Sequence, residues 1–567
     1  MRNFLRLPPL LLWSGILAGT AAAQTSSRKP FSVVEASIAE MRTAMEQGRT
    51  TSREIVQQYL TRIALYEDKL NAVITINPRA LEIADERDRE RREKKVRGPL
   101  HGIPIALKDN IHTTDMPTTG GALAFDGLVP PYEATLVKNL REAGAIIIAK
   151  TSLTELANWV ASGMPGNYNG LVGYGMNPYD PRKDPRDQTF DGRPVMATGG
   201  SSSGVGTAAS FWAGNVGTET SGSILSPSNQ NMLVGIKPTV GRVSRYGVIP
   251  ITADQDTPGP MAKSVADAAT MLGAMEGAAP DSNDVETRRC PPPPGRDYTR
   301  FLGTDALKGA RIGIPRAGYF DSVTVPGART ARRGLPEPQA KLMAEAIEVL
   351  KGQGAEIVDP AHIPSVLSQD PKENLLLWNT CGGLDNAKGR DADCSITFKY
   401  GMKRDFNAWL RSLGSKAPVK TLTELRQWNI AHQRAGAIKY GQAQLDISDE
   451  MDEQMDRTRY RNDREKDIRL AGTNGIDSAM KMHRLDAILF AGGSGASIAA
   501  RPGYPTVIVP FGFVPAAPAQ FPAGFDPKPQ PLGVAFTGMA CSEPRLVALA
   551  YAFEQATKRR VAPPLFP

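Results

Sequence analysis

The sequence predicts a layered α/β protein built on a mixed central β-sheet. Short β-branched runs alternate with amphipathic helical segments along most of the chain, which is the pattern of such layers. The composition, 41% hydrophobic and 22% charged, is that of a globular protein and excludes disordered and fibrous classes. The length of 567 residues is compatible with several domains or with one large domain carrying insertions.

The first elements lead to a lysine at the end of a strand. Thr51 and Glu54 form a capping-box pattern that predicts a helix over residues 52–66, and a charged helix follows to about residue 95. The apolar run 103–107 predicts a strand that ends at Lys108. Because sites gather at the carboxyl ends of strands in α/β sheets, Lys108 is a candidate functional residue.

The remaining elements alternate in the same way. The pattern predicts helices over residues 133–143, 339–354 and 545–557, and strands over residues 145–149, 356–358, 485–490, 506–511 and 533–537. Residues 180–198 and 289–297 resemble insertions or loops, the second with a polyproline II run. Residues from about 368 to 480 have helical periodicity and predict a helical cap.

The N-terminus resembles an export signal. Arg2 and Arg6 precede an apolar run over residues 7–18, and three small residues end at Ala23. We expect residues 1–23 to be a signal peptide and the protein to be exported, either periplasmic or extracellular. Retention of this segment as an anchor is the alternative. No later segment reaches the roughly 18 apolar residues of a membrane span, so none is expected after cleavage.

Charge gives no indication of a nucleic-acid partner. The net charge is +8, but basic and acidic residues alternate, as in residues 87–95, which is typical of a solvated helix face. The sequence therefore predicts no nucleic-acid partner. The oligomeric state, monomer or homodimer, stays open.

Neither the cysteines nor the histidines form a metal-binding pattern. The four cysteines are Cys290, Cys381, Cys394 and Cys541. Cys381 and Cys394 would close a short loop and are the best candidates for a disulfide, although the sequence leaves the pairing open. No CxxC occurs and the five histidines are scattered without an HExxH motif, so we expect no metal and no cofactor.

Two glycine and serine segments, residues 199–204 and 217–224, combine hydroxyl groups with backbone amides. A serine nucleophile needs a base to take its proton and donors to hold the oxyanion. Taken alone, the cluster is equally typical of a flexible linker. It contains no GxxxxGK[ST] or GxGxxG motif, which argues against a phosphate cradle. Ser223 is followed by Ile224 and Leu225, so it does not stand in a GxSxG nucleophile elbow.

The continuation of this cluster carries a specific resemblance. From Gly199 to about Ala269, including the segments GIKPTVGRVSR and QDTPGP, the chain resembles the amidase signature family. Flanking matches occur at residues 102–110, 177–180 and 503–505. The resemblance implies the amidase-signature fold, layered α/β/α, as a single domain over residues 24–567. The catalytic core is expected at about 100–270, and the cap is the least similar part.

The resemblance also assigns roles to residues. The family's catalytic residues are a serine, a cis-serine and a lysine, which match Ser223 as nucleophile, Ser201 as proton relay and Lys108 as base. Ser202 matches a supporting hydrogen-bonding residue. Glu219 is expected to be a structural partner of the loop. The backbone amides implied as the oxyanion hole are those of Thr220, Ser221, Gly222 and Ser223.

Some positions depart from the family pattern. The stretch from Ser201 to Ser223 is shorter than the resemblance implies by about two residues, which we assign to a helix around residues 211–216. Ser221 stands where glycine or aspartate is usual, and Leu225 where arginine is common. The insertion 180–198 directly precedes the catalytic loop.

The expected function is hydrolysis of a carboxamide through a serine acyl-enzyme, in which ammonia or an amine leaves and water releases the acid. The leader and the QDTPGP stretch resemble exported bacterial amidases, including peptide amidases. The expected partner is a small-molecule or peptide amide substrate, and fatty acyl and aryl amides stay open as substrates. Two alternatives are a transamidating component of a tRNA-dependent amidotransferase and a non-catalytic exported binding protein on the same fold.

Overall fold

The computed structural model describes residues 31–189, 191–200, 204–516 and 521–567. The predicted signal peptide, Ser201 and Ser202 lie outside the described residues. Among the described residues, no helix has the length and apolar character needed to cross a membrane.

An 11-stranded mixed sheet forms the centre of the fold, in the order β1-β3-β2-β6-β8-β7-β14-β15-β13-β9-β10. Two further strand pairs, β4–β5 and β11–β12, lie outside it. The strands are β1 Val73–Ile76, β2 Pro104–Lys108, β3 Ile146–Thr151, β4 Tyr168–Asn169, β5 Gly173–Tyr174, β6 Gly214–Glu219, β7 Val234–Lys237, β8 Thr257–Ala262, β9 Arg311–Gly313, β10 Glu356–Val358, β11 Asn379–Thr380, β12 Cys394–Ser395, β13 Ala487–Ala491, β14 Thr506–Val514 and β15 Gln530–Thr537.

The helices flank this sheet and build the region after it. They are α1 Ile38–Glu46, α2 Ser52–Leu70, α3 Ala80–Arg92, α4 Thr135–Glu142, α5 Gly204–Ala208, α6 Leu225–Gln230, α7 Val265–Met275, α8 Glu337–Gly352, α9 Pro364–Leu367, α10 Thr397–Gly401, α11 Asn407–Ser412, α12 Leu422–Ala431, α13 Ala443–Asp449, α14 Arg457–Ile468, α15 Asp477–His483, α16 Ala496–Ala500 and α17 Glu543–Thr557. The predicted α/β class with a large mixed sheet is confirmed.

Three parallel neighbours in the sheet, β3, β2 and β6, bring their carboxyl ends to one edge. Strand β8 then runs antiparallel to β6, so that the residues just before β8 lie at the same edge. Lys108 ends β2 and Glu219 ends β6. The sheet topology therefore gathers residues far apart in sequence at the edge where the candidate site forms.

The local sequence explains where helix α2 begins and ends. Thr51 accepts a hydrogen bond from the Glu54 amide, and the Glu54 carboxylate accepts one from the Thr51 amide, so the predicted capping box is present. The helix continues to Leu70, beyond the expected end, and Asn71 ends it with φ 50°. Asparagine tolerates this left-handed conformation better than most residues.

The helix predicted around residues 211–216 is wrong. Helix α5 ends at Ala208, Ser210 has φ 55°, and β6 begins at Gly214. A left-handed residue cannot continue a right-handed helix, and valine and threonine within β6 favour the extended strand.

Core and cap share a hydrophobic cluster. Phe125 packs against Phe406 and Trp409 with ring centroids 6.1 and 5.2 Å apart, and Trp159 packs against Phe398 at 5.0 Å. Two π-helical segments, Met402–Phe406 and Arg469–Ile476, interrupt the cap's α-helices. These aromatic residues of the cap pack directly onto the core.

Two disulfides link the four cysteines. Cys381 and Cys394 are joined across a separation of 13 residues, the pair that the sequence favoured. Cys290 and Cys541 are joined across 251 residues, a pairing that the sequence left open. The second bond ties the proline-rich segment to the loop before α17.

Candidate active site

Lys108 is the buried lysine at the centre of the site. Its side chain is fully shielded from solvent, and Nζ lies 2.9 Å from Thr218 Oγ1 and 3.4 Å from the Thr218 carbonyl oxygen. Burial lowers the pKa of Lys108 to about 7, and the nearby carboxyl groups of Asp256 and Glu219 oppose part of that shift. A lysine with this pKa is largely uncharged above neutral pH and can accept a proton.

A second buried lysine on the neighbouring strand serves as a comparison. Lys150 Nζ lies 3.1 Å from Asp109 Oδ1 and donates to Thr118 Oγ1 at 2.7 Å. Asp109 is held in turn by the Thr119 amide at 3.1 Å. Lys108 makes no salt bridge with any residue in the described ranges. Since a carboxylate partner stabilises the ammonium form, Lys108 is the better candidate for a base.

Thr218 connects this lysine to the segment that carries the candidate nucleophile. Its Oγ1 accepts hydrogen bonds from Lys108 Nζ and, at 3.0 Å, from Asn110 Nδ2. Sequence reasoning missed Thr218 and Asn110 as site residues. The available signal was that both lie in segments carrying the family resemblance, Asn110 within residues 102–110 and Thr218 within residues 217–224.

Ser223 lies in the turn that follows β6, partly exposed, directly before helix α6. The preceding Gly222 has φ 108°, a conformation that residues with a Cβ rarely adopt. Among the described residues, the backbone amides of Ser221, Gly222 and Ser223 donate to no acceptor. The turn therefore presents a hydroxyl beside three amides that are free within this part of the chain.

Glu219 fixes the amides that come next. Its Oε2 accepts hydrogen bonds from the amides of Ile224 at 2.7 Å and Leu225 at 2.9 Å. The carboxylate thus caps the first turn of α6, where a negative charge is favourable. This is the structural role expected for Glu219. The amides of Ile224 and Leu225 are thus occupied by Glu219, whereas the amide of Ser223 has no acceptor among the described residues.

Asp256 anchors the start of the same turn. The Thr220 hydroxyl donates to Asp256 Oδ1, and Gln255 Nε2 donates to the Thr220 carbonyl at 3.1 Å. Asp256 Oδ2 accepts from the amides of Ile251 and Thr252. Burial raises the pKa of Asp256 to about 7, although these hydrogen bonds oppose the shift.

The glycine-rich loop approaches Ser223 from the other segment. A Cβ on Gly200 would lie 3.2 Å from Ser223 Oγ, so this glycine is next to the candidate nucleophile. Gly199 has φ 89°, and a Cβ there would overlap the backbone nitrogen of Pro227. Only glycine fits at position 199. Ser201 and Ser202 follow directly in the chain, outside the described residues.

Neighbouring segments surround this loop. A Cβ on Gly166 would lie 4.0 Å from the Gly199 carbonyl oxygen. The insertion before the loop packs elsewhere, with Arg182 and Arg186 stacked on Phe525 and Phe521 at 4.1 and 4.0 Å from the ring centroids.

Of the residues named from the sequence, the structure brings Lys108, Thr220 and Ser223 to one sheet edge. Lys108 and Thr220 are buried, whereas Ser223 is partly exposed and Ser221 is exposed. Leu225 is buried in an apolar cluster that includes Phe490. The position where an arginine is common therefore supplies packing here.

Comparisons with known proteins find similarity to amidases over most of the chain. The Amidase family model matches residues 54–547. A probable amidase of Arabidopsis thaliana is 33% identical over 552 residues, which are 97% of this chain and 95% of the plant protein. The crystal structure of a peptide amidase from Stenotrophomonas maltophilia is 35% identical, with a TM-score of 0.77, and the match covers 94% of this chain and 99% of that chain.

Relatives with another activity match over less of their length. A glutamyl-tRNA(Gln) amidotransferase component from Rhodopirellula baltica is 34% identical over 326 residues, which are 57% of this chain and 58% of that protein. The two matches above that cover most of both chains at 33–35% identity are to amidases. The chain belongs to the Amidase family and is an amide-hydrolysing enzyme.

Proposed function

We propose that the enzyme hydrolyses carboxamides through an acyl-enzyme on Ser223, with Lys108 as the base and Ser201 as the proton relay. The observation that carries the proposal is the link from Lys108, buried and without a salt bridge among the described residues, through Thr218 to the turn of Ser223. Lys108 takes the Ser223 proton by way of Ser201, and the same proton is returned to the leaving amine. Water then releases the acid.

The amides of Thr220, Ser221, Gly222 and Ser223 hold the oxyanion in this proposal, and Ser202 supports the relay. The support for this role is that the backbone amides of Ser221, Gly222 and Ser223 donate to no acceptor among the described residues. Asp256 and Glu219 hold the two ends of the turn. Preorganised donors of this kind are worth roughly a hundredfold or more each in turnover.

Peptides with a C-terminal amide are the substrate class we propose first. The full-length similarity to the Stenotrophomonas maltophilia peptide amidase supports this choice. Transamidation is the weaker candidate because the sequence match to the amidotransferase relative covers 57% of this chain, whereas the match to the peptide amidase covers 94% at 35% identity. The non-catalytic alternative would require the loss of Lys108 or a catalytic serine, and the sequence retains all of them.

Replacement of Ser223 tests the mechanism. Ser223→Ala should abolish amine release from a panel of amidated peptides, aliphatic amides and anilides, and it should abolish covalent labelling by a fluorophosphonate. Ser221→Ala is the matched control in the same turn and should retain labelling, because it keeps its backbone amide. Unchanged turnover by Ser223→Ala would refute the proposal.

Export is a second proposal, supported by the two disulfides and by the leader-like N-terminus. Disulfides persist in oxidising compartments. N-terminal sequencing of the protein from the periplasm and medium should begin at Gln24. Recovery of the full-length chain in the cytoplasm, with its cysteines reduced, would contradict the proposal.

A further inference from the structure

Asn110 and Lys108 both contact the hydroxyl group of Thr218. Its Nδ2 lies 3.0 Å from Thr218 Oγ1 and 3.5 Å from the carbonyl oxygen of Ile249. Lys108 Nζ lies 2.9 Å from the same hydroxyl oxygen. All three side chains are buried, so water does not compete readily for these hydrogen bonds.

The direction of the asparagine contact follows from its neighbours. The Ile249 carbonyl can only accept a hydrogen bond, so it is the amino group of Asn110 that faces both it and Thr218. An amide NH₂ can only donate. Asn110 therefore occupies one acceptor position of the Thr218 hydroxyl.

The hydrogen bond from Asn110 changes how strongly the Thr218 hydroxyl donates to Lys108 and accepts from it. A hydroxyl has one hydrogen and two acceptor positions. A hydroxyl that already accepts from Asn110 becomes a better donor and a poorer second acceptor, because hydrogen bonds in a chain polarise one another. A lysine ammonium can only donate to Thr218, whereas a neutral amine can also accept from it. The contact of Asn110 thus favours the neutral amine.

We propose that Asn110 is a positioning residue that keeps Lys108 in its basic form by donating to their shared partner, the Thr218 hydroxyl. The proposal rests on the proposed role of Lys108 as base. Other titratable groups near this site are Glu219 at the end of β6, Asp256 before β8 and the pair of Asp109, directly after β2, with Lys150 on β3. The test leaves them unchanged.

The acidic limb of the pH dependence of kcat/KM is the readout. Asn110→Leu removes the donor, so the limb should move up by about half a pH unit or more, with activity recovered at high pH. Asn110→Asp replaces the donor by a charged acceptor and should move the limb up by more than about one pH unit. A lower plateau without a shift would contradict the proposal, since a purely structural role gives that result.

A double-mutant cycle isolates the shared hydroxyl. In the Thr218→Val background, Asn110→Leu should move the limb no further; an equal shift with and without the hydroxyl would overturn the proposal. Asn429→Leu, at a buried asparagine of the cap, is the control and should leave the limb in place. If Asn110→Leu fails to fold, Asn110→Asp and Thr218→Val give the same comparison.

Lys108→Met separates this proposal from the proposed function. If that variant retains activity with the same acidic limb, the role of Lys108 as base fails and the inference fails with it. If it abolishes activity and the Asn110 variants leave the limb unmoved, the proposed function stands and only the inference fails.

Discussion

Lys108 and Lys150 lie on adjacent parallel strands and are both fully buried, and within the described residues Lys150 forms a salt bridge whereas Lys108 forms none. In the register of the two strands, Leu107 is the partner of Lys150 and Lys108 that of Thr151. The two lysine side chains therefore point to opposite faces of the sheet, because strand side chains alternate between faces. Asp109 is thus the feature that distinguishes the two lysines.

Removal of Lys108 should stabilise the fold in a pH-dependent way. Its pKa is lowered to about 7 in the folded protein, so the unfolded chain binds more protons between pH 7 and about 10, and wild-type stability rises with pH there. Lys108→Met lacks this dependence. The amount by which the free energy of unfolding of Lys108→Met exceeds that of the wild type should shrink by about 1.4 kcal/mol per pH unit over that range. Urea titrations at pH 7 and 9 measure this, and a constant advantage would contradict the prediction.

Breaking the ion pair of Asp109 and Lys150 should lower the free energy of unfolding, whereas removal of Lys108 should raise it. Asp109→Asn leaves Lys150 buried without its carboxylate and should cost about 3–5 kcal/mol of unfolding free energy. The double variant Asp109→Leu with Lys150→Met removes both charges and should recover most of that loss. Denaturant midpoints of the three proteins check this prediction. A double variant less stable than Asp109→Asn would argue against a charge effect.

Glu219→Gln tests the cap of the nucleophile turn. The glutamine oxygen can still accept from the Ile224 and Leu225 amides, but without charge, so stability should fall by about 1 kcal/mol. The Glu219 charge raises the pKa of Lys108, so its removal should move the acidic limb of activity to lower pH. The pH profile of kcat/KM measures the shift. Movement to higher pH would show that the carboxylate acts on Lys108 in another way.

The two disulfides should contribute unequally to stability. Chain-entropy arguments give about 3 kcal/mol for the loop of 13 residues and about 5 kcal/mol for the loop of 251 residues. Cys290→Ser with Cys541→Ser should therefore lower the Tm more than Cys381→Ser with Cys394→Ser. Thermal unfolding with and without a reductant measures both. The opposite order would mean that local contacts outweigh loop length.

The sequence predicted the elements that local pattern determines. The capping box at Thr51 and the strand ending at Lys108 occur as expected, because each depends on residues a few positions apart. The family and its enzymatic class also followed from motifs. The stretch around Phe211 was predicted wrongly, since the left-handed Ser210 that ends α5 has no local signature.

The contacts within the site were harder to predict. Thr218 meets Lys108 across a sequence separation of 110 residues, and Asp256 meets Thr220 across 36. Such pairs depend on strand order and register in the sheet, which periodicity along one segment does not determine. The pairing of Cys290 with Cys541 was open for the same reason.

The aromatic cluster that joins core and cap limits how the enzyme can admit its substrate. Phe125 and Trp159 of the core are packed among Phe398, Phe406 and Trp409 of the cap. Swinging the cap away as a lid would expose these rings to water, at a cost of roughly 1.5–3 kcal/mol for each large side chain. These buried rings therefore oppose any opening of the cap away from the core, and we expect a substrate to reach the site without displacing the cap.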